Sequence, residues 1–574
     1  MRTVFSLFAL CLPVTLLYGQ FFWNPIVFDD ASFFDGSVHD QYLGKVFSFD
    51  LRWLPYATFE WTRSLLGLDL IWFRLGNLIL HLATAATLFL FLRRLFEWVL
   101  PCNDESSGNL SPHWLAFFGA LIFVLHPASV YACAYLVQRS TLMATLFALL
   151  TWRLFLEGLI RKNYRWLLAS AATYFLAVFS KEHAIMTPAV TIALLLLVNN
   201  SPIRQRLMLI WPTFLLYGLI GGFVVFQLKT RHILGNAYEP TASKLMFLLG
   251  PDFNERLAYP LSMLTQSFLF FKYLGVWIVP SPAWMSVDMP QTFAKSLWSL
   301  PETTGLVGFI AYPIIAVRLL LQSGVKGLLG FALLCPWLLF ATELSAIRIQ
   351  EPFVLYRSYL WMAGAFAALP FLCQKLSKKQ AAITLTFVAL FMMPISWLRL
   401  TTFSHPLRLW DDAASRVENV DETRLGIDRI FYNRGTEFIW AKHYAEAIED
   451  LSKAIQLKGF HIGEAYGNRG SAYLITRQYR QALNDFDMAI EQVPGNRAFY
   501  LGKARALEAL KDSTGAILVY RQACLLGEKT ACQKTEQPES PVKLLTEYLS
   551  YPIGQNIPYS QPLSLDYELL AAQY

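Results

Sequence analysis

Charge is what this chain has least of. Only 16% of its 574 residues are Asp, Glu, Lys or Arg, where a soluble globular chain carries about 25%. The shortage is uneven: apolar runs dominate up to about residue 399, and charge returns at ordinary density from 401 onward. That excludes a single soluble domain and reads as a membrane part followed by a soluble part. Cysteine is scarce too, seven in all, and none has the spacing of a zinc site. The apolar start "MRTVFSLFALCLPVTLLYG" lacks a small-x-small cleavage site, so it is expected to stay as a first helix rather than be removed as a signal peptide. The net charge of +7 does not call for nucleic acid, because Lys and Arg collect at the ends of apolar runs, as membrane topology requires.

What is there in abundance is apolar sequence of membrane-spanning length. Eleven segments qualify: 3–20, 70–92, 114–131, 140–157, 165–179, 184–198, 208–226, 304–321, 327–343, 357–373 and 381–398, each near the ~20 residues a helix needs to cross a bilayer. Arg93 and Arg94, then Arg161, Lys162 and Arg165, then Arg204 and Arg206, Lys326, and Lys375, Lys378 and Lys379 all fall on one side if the N-terminus is cytoplasmic, as the positive-inside rule asks. An odd count then puts the soluble part outside. Segment 261–280 is apolar but has Lys272 near its centre, and counting it would move the later basic clusters outside. It is expected to be an interfacial or re-entrant helix within a large outer loop, 227–303, with a second large outer loop at 21–69.

The soluble part repeats. "FYNRGTEFIWAKHYAEAIEDLSKAI" aligns with "YGNRGSAYLITRQYRQALNDFDMAI", and Ala447, Ala482 and Ala516 recur at steps of 35 and 34, as do Ala454, Ala489 and Ala523. A period near 34 with small residues where helices cross is the tetratricopeptide pattern. The fold class expected is therefore all-α: a polytopic transmembrane bundle over 1–400, a linker at 401–428, a tetratricopeptide α-solenoid at 429–535 and a tail at 536–574. Such arrays most often bind a protein or peptide. Cys524 and Cys532 are eight apart and form a disulfide candidate on an oxidising side, with two buried thiols as the alternative.

Charged groups at membrane depth are costly, so each is a site candidate. Four clusters fall on the outer face of this threading: Asp29–Asp30; His126, Gln138 and Arg139 in "HPASVYACAYLVQRS"; Lys181, Glu182 and His183 in "SKEHAIMTP"; and Glu351, Tyr356, Arg357 and Tyr359 in "EPFVLYRSYLW". Two carboxylates supply a base and a partner that tunes it. The cations suit a phosphate leaving group. Each cluster also has a plain reading: loop solvation for Asp29–Asp30, a turn ion pair for Lys181–Glu182, snorkelling to headgroups for Arg139 and Arg357.

With the element "PAWMSVD", which ends at Asp288, and with the C-terminal repeats, this order of motifs resembles the GT-C-fold glycosyltransferases, in particular the protein O-mannosyltransferases that join a membrane domain to tetratricopeptide repeats. The likeness runs over nearly the whole chain. It departs from those enzymes in having Asp-Asp where their central group has Asp-Glu, and only about three repeats, which suits a bacterial relative. The resemblance implies inverting transfer of a sugar from a polyprenyl-phosphate-linked donor to an acceptor hydroxyl on an exported protein or a glycan. Asp29 would be the base with Asp30 beside it. Lys181, Arg357 and Arg139 would hold the donor phosphate. Glu182, His126, Tyr356, Tyr359 and Glu351 would support them, with Asp288 near the acceptor entrance. No cofactor is required; a divalent cation is compatible but nothing indicates one. The location implied is a bacterial inner membrane with the repeats in the periplasm. The alternative is a lipid-linked glycan flippase or transporter whose repeats bind a partner. A bare anchor for the repeats would need one or two helices, not eleven.

Overall fold

The computed structural model describes residues 2–30, 47–100, 110–198, 203–237, 242–250, 253–417 and 424–535. Nearly all of the regular structure among them is helical, apart from one isolated bridge between Ala237 and Ile347. Two compact units emerge: Met1–Tyr238 with Asn254–Asp412, and Glu239–Phe253 with Ala413–Tyr574.

In the first unit the chain runs through α1 (Arg2–Tyr18), α2 (Trp53–Leu66), α3 (Leu70–Val99), α4 (Pro112–Leu125), α5 (Pro127–Cys133), α6 (Arg139–Arg161), α7 (Tyr164–Ser180), α8 (Thr187–Leu197) and α9 (Ile203–Thr230). After α10 (Ala242–Leu248), which belongs to the second unit, come α11 (Ala258–Ile278), α12 (Glu302–Leu320), α13 (Val325–Phe340), α14 (Ser358–Ala365), α15 (Leu369–Cys373) and α16 (Lys378–Thr402), then α17 (Pro406–Ser415).

These helices invert the soluble pattern. On α3 the polar side chains Arg74, Asn77, His81 and Thr84 recur at helical spacing and are all buried. The outward faces are apolar: Phe8, Leu12 and Leu16 on α1, Leu215, Leu219 and Phe226 on α9, Phe387 and Leu390 on α16. Such continuous exposed apolar stripes are untenable in water and natural in lipid. The chain is thus a multi-pass, bilayer-embedded helical protein, consistent with a generic GT-C-like bundle.

Among the described residues eight helices are long and apolar enough to cross a membrane, or nine if the bent pair α4–α5 is one span; the sequence led to an expectation of eleven. The difference has local causes. The α7 helix has 17 residues and α8 only 11. Segment 357–373 is broken at Phe366–Ala368 into short pieces. Segment 261–280, read as interfacial, is a 21-residue helix, α11, that meets the length and composition criterion. Its Lys272 donates to Gln291 at 2.7 Å and lies 4.9 Å from the Phe353 ring centroid.

The α4–α5 pair bends by 64° at His126–Pro127, where proline removes an amide donor. The groups freed there are met by side chains: the Ser129 hydroxyl donates to the Phe123 carbonyl, Ser396 donates to Leu125, and His126 Nδ1 accepts from the Ala128 amide. Glycine allows the closest approach of α12 and α13. A Cβ at Gly330 would stand 2.1 Å from the Leu320 backbone nitrogen.

The second unit holds helix pairs α18 (Ile427–Trp440) with α19 (Tyr444–Gln456), α20 (Ile462–Ile475) with α21 (Tyr479–Gln492), and α22 (Arg497–Ala509) with α23 (Ser513–Leu525), then α24 (Lys529–Lys534). The recurring alanines are all buried between them. Two pairs also share an ion pair at the same register: Arg434 grips Asp450, and Arg469 grips Asp485, each through two nitrogens. Cys524 and Cys532 are joined by a disulfide.

Candidate functional site

The polar clusters meet at one end of the first unit's bundle, where α6 begins, α7 ends, α8 is about to begin and α13 ends. Lys181 follows the last residue of α7. Its ammonium is buried, donates to Thr141 at 2.8 Å and Gln138 at 3.1 Å, and lies 4.9 Å from the Tyr356 ring centroid. These partners are neutral, and no carboxylate among the described residues forms a salt bridge with it. Burial pulls the Lys181 ammonium well below the ordinary lysine range, and nearby Arg52 pushes the same way. Among the described residues, Glu182 and Glu343 act on it only from beyond ion-pair distance, and a buried cation whose direct contacts are neutral is the arrangement expected where an anion is to arrive.

Beside it stands a chain of charges. Burial opposes ionisation of Glu182, but Arg52 outweighs it and holds the carboxyl well below the usual range. Arg52 reaches both oxygens, with Nε at 2.8 Å from one. His183 Nδ1 is 3.5 Å from Glu182, and its Nε2 is 3.0 Å from Glu343. Glu343, 1% exposed, also faces Arg357 at 3.1 Å and Arg348 at 3.4 Å. Arg357 donates to the Glu351 carbonyl at 3.0 Å and pairs with its carboxylate at 3.5 Å, which the Tyr356 hydroxyl also reaches. Among the described side chains of this cluster, four cations, Arg52, Lys181, Arg348 and Arg357, stand against three carboxylates, Glu182, Glu343 and Glu351. Thr141, Ala144, Lys181, His183, Arg357 and Leu360 line a small cavity with room for no more than about one water.

Of the acidic pair, Asp30 joins this region through backbone amides. Both residues sit in a short 3-10 turn, Phe28–Asp30. Asp30 is fully buried and accepts from the amides of Val137 at 2.9 Å and Leu136 at 3.4 Å. Those amides immediately precede Gln138, the partner of Lys181. Asp30 is thus a buttress of the turn that starts α6. The Asp29 side chain lies outside the described residues.

The other expected residues are placed differently. Arg139 points into the bundle, donating to Asn77 at 2.9 Å, the Phe73 carbonyl at 2.8 Å and the Thr58 and Thr62 hydroxyls, with its guanidinium 4.0 Å from the Phe59 centroid. Gly76 leaves room for it: a Cβ there would be 3.0 Å from an Arg139 nitrogen. Its donors are committed to helix packing, away from the cavity lining. His126 caps α5 and donates to the Trp277 carbonyl at 3.1 Å, so both nitrogens are used. The Tyr359 hydroxyl is 2.7 Å from His81 Nδ1, inside the bundle. Asp288 is buried just past the short turn Pro282–Trp284.

Glu343 and Arg348 stand outside the four clusters that the sequence singles out, and Arg52 lies in the long loop 21–69. The first two stand in "TELSAIRIQ", directly after the apolar run of α13, and the rule that flagged the other clusters applies to them equally. No protein-family model matches the chain, and no curated protein matches it.

Proposed function

We propose that this chain is a GT-C-type membrane glycosyltransferase, related to the protein O-mannosyltransferases, that moves a sugar from a polyprenyl-phosphate-linked donor to an acceptor hydroxyl on an exported protein. The observation that carries the reading is Lys181: a buried ammonium with neutral partners, next to Arg357 on a cavity wall, at the end of a membrane bundle. In the reaction the acceptor oxygen attacks the anomeric carbon from the face opposite the phosphate, the carbon–oxygen bond to phosphate breaks with inversion, and the acceptor proton passes to Asp29. Asp30 fixes the turn that presents Asp29. Charge builds on the departing phosphate, where Lys181 and Arg357 are worth most. The cavity has to open to admit a donor.

The same contacts favour the eleven-span threading. The α7 helix follows α6 from Leu167 beside Gly158 to Lys181 beside Gln138, and α6 is long enough to cross. The α8 segment follows α13 from His183 beside Glu343 to Leu197 beside Gly327. Each short helix thus runs the length of a spanning one. Along α11, Tyr259, Gln266 and Tyr273 bond in turn to the carbonyls of Leu344, Pro352 and Val354, which suits a helix lying in the outer layer. Two ends on opposite faces follow, with the N-terminus cytoplasmic and the soluble unit in the periplasm of a bacterial inner membrane, where its disulfide is at home. There the helix pairs act as a tetratricopeptide array that recruits the acceptor protein.

The test is transfer from a polyprenyl-phosphate sugar by purified protein. Lys181→Met and Arg357→Gln should each lower turnover at least a hundredfold, on the order found when a charge-stabilising donor is removed. Unchanged turnover in both, at normal expression, removes the proposal. The bent α4–α5 pair is the feature that suits a flippase, since broken helices mark transporter sites. Donor movement between leaflets without sugar transfer would establish that reading instead.

A further inference from the structure

A second charge cluster lies at the opposite end of α6 and plays no part in the transfer chemistry. Glu157, with a side chain 4% exposed, stands one turn before the end of α6. It gathers three guanidinium groups: Arg94 from α3, with Nε at 3.0 Å, Arg161, with Nε at 2.8 Å, and Arg153, one turn before it. Arg94 and Arg161 face Glu157 through Nε, so their terminal nitrogens stay available. Lys162 and Arg165 follow in the exposed α6–α7 turn, and neither forms an ion pair among the described residues. Among the described residues three cations therefore touch one carboxylate, and two more follow in the adjoining turn. Arg161 lies 5.3 Å from the Trp166 ring centroid, and half-exposed Tyr164 and Leu168 stand one helical turn apart on the adjoining face of α7.

One arginine would neutralise Glu157, so three exceed its need for a counter-ion. A buried carboxylate holding several guanidinium groups by one edge instead presents their free edges together. That fork geometry matches phosphate oxygens. Its depth is right for a lipid, because Glu157 sits about 6 Å from the end of a helix that crosses the bilayer, with aromatic residues at the interface. We propose that this is a binding site for the phosphate of a membrane lipid, with Glu157 as the organiser of Arg94, Arg153 and Arg161 and with Leu168 and Tyr164 against the first part of the tail. The ligand chemistry is a phosphate ester at the end of a hydrocarbon chain, from an anionic phospholipid or a prenyl phosphate.

Native mass spectrometry of the full-length protein in neutral detergent tests this directly, titrating cardiolipin, phosphatidylcholine, a prenyl phosphate and inorganic phosphate separately. Cardiolipin or prenyl phosphate should be retained at least tenfold better than phosphatidylcholine, and whichever binds more tightly names the source. Each cation removed costs about fivefold, so Arg161→Gln with Lys162→Gln and Arg165→Gln should lose on the order of a hundredfold, while Arg94 and Arg153 still neutralise Glu157. The wild-type affinity should also fall as salt rises, a readout that needs no variant. Equal retention of phosphatidylcholine, an unaltered triple variant, salt-independent binding, or inorganic phosphate alone competing as well as the lipids would each overturn the proposal.

Discussion

Glu343 is the hub of the charge chain, and removing its charge is the sharpest test of how that chain is held. It is buried and faces Arg357 at 3.1 Å, Arg348 at 3.4 Å and His183 at 3.0 Å. At an effective dielectric of about 20, opposite charges 3 Å apart attract by roughly 5 kcal/mol, and desolvation takes much of that back. Glu343→Gln keeps the volume but withdraws the charge from two buried guanidinium groups, and its amide nitrogen meets donors where an acceptor stood. The expected loss is about 3–5 kcal/mol. Pairing it with Arg357→Gln removes one of the stranded cations, so the double variant should be less destabilised than the sum of the singles by more than 1 kcal/mol. Equilibrium unfolding of the detergent-solubilised protein, followed by Trp fluorescence, measures both. A Glu343→Gln protein within about 0.5 kcal/mol of wild type, or strict additivity, would rule this arrangement out, because the carboxylate would then not be the group that orients Arg357.

Three further outcomes follow from the structure. Cys524 and Cys532 should resist alkylation in the native protein and take up two labels after reduction; labelling without reductant would show the bond is absent. Burial raises the Glu437 carboxyl to about 7, so the folded form binds this proton more tightly than the unfolded chain. Stability from this group is complete below pH 4.5 and is lost as pH rises through 7, by at most about 3 kcal/mol; hydrogen exchange in α18 of the whole protein should quicken over that window, and Glu437→Gln should flatten the dependence. Gly330→Ala puts a methyl carbon onto the Leu320 backbone, so it should destabilise the membrane unit by about 1–3 kcal/mol; a neutral result would mean α12 and α13 are not in contact there.

The membrane character was legible because apolar run length is a one-dimensional property. So was the pairing of helices in the second unit, since small residues at Ala447, Ala482 and Ala516 mark where helices cross. Span number was less legible: proline and the Phe366–Ala368 turn interrupt apolar runs that look continuous, and a lone Lys272 does not prevent α11 from being a full helix. In the site, the sequence could pick out charges at membrane depth but not which way each points. Lys181, Glu182, Tyr356, Arg357 and Glu351 do come together, and Asp30 joins them through the amides of Leu136 and Val137. Arg139, adjacent to Gln138, turns inward to Asn77 and Phe73 instead. One residue along a helix rotates a side chain by about 100°, and only packing decides which of two neighbours faces the cavity.

We propose sugar transfer with Asp29 as base. Mass spectrometry of exported proteins, from cells with this chain, without it, and with Asp29→Asn at normal expression, tests it most directly. A sugar mass on Ser or Thr residues should disappear both on deletion and in the Asp29→Asn strain. The same modified peptides at the same occupancy in all three would contradict it.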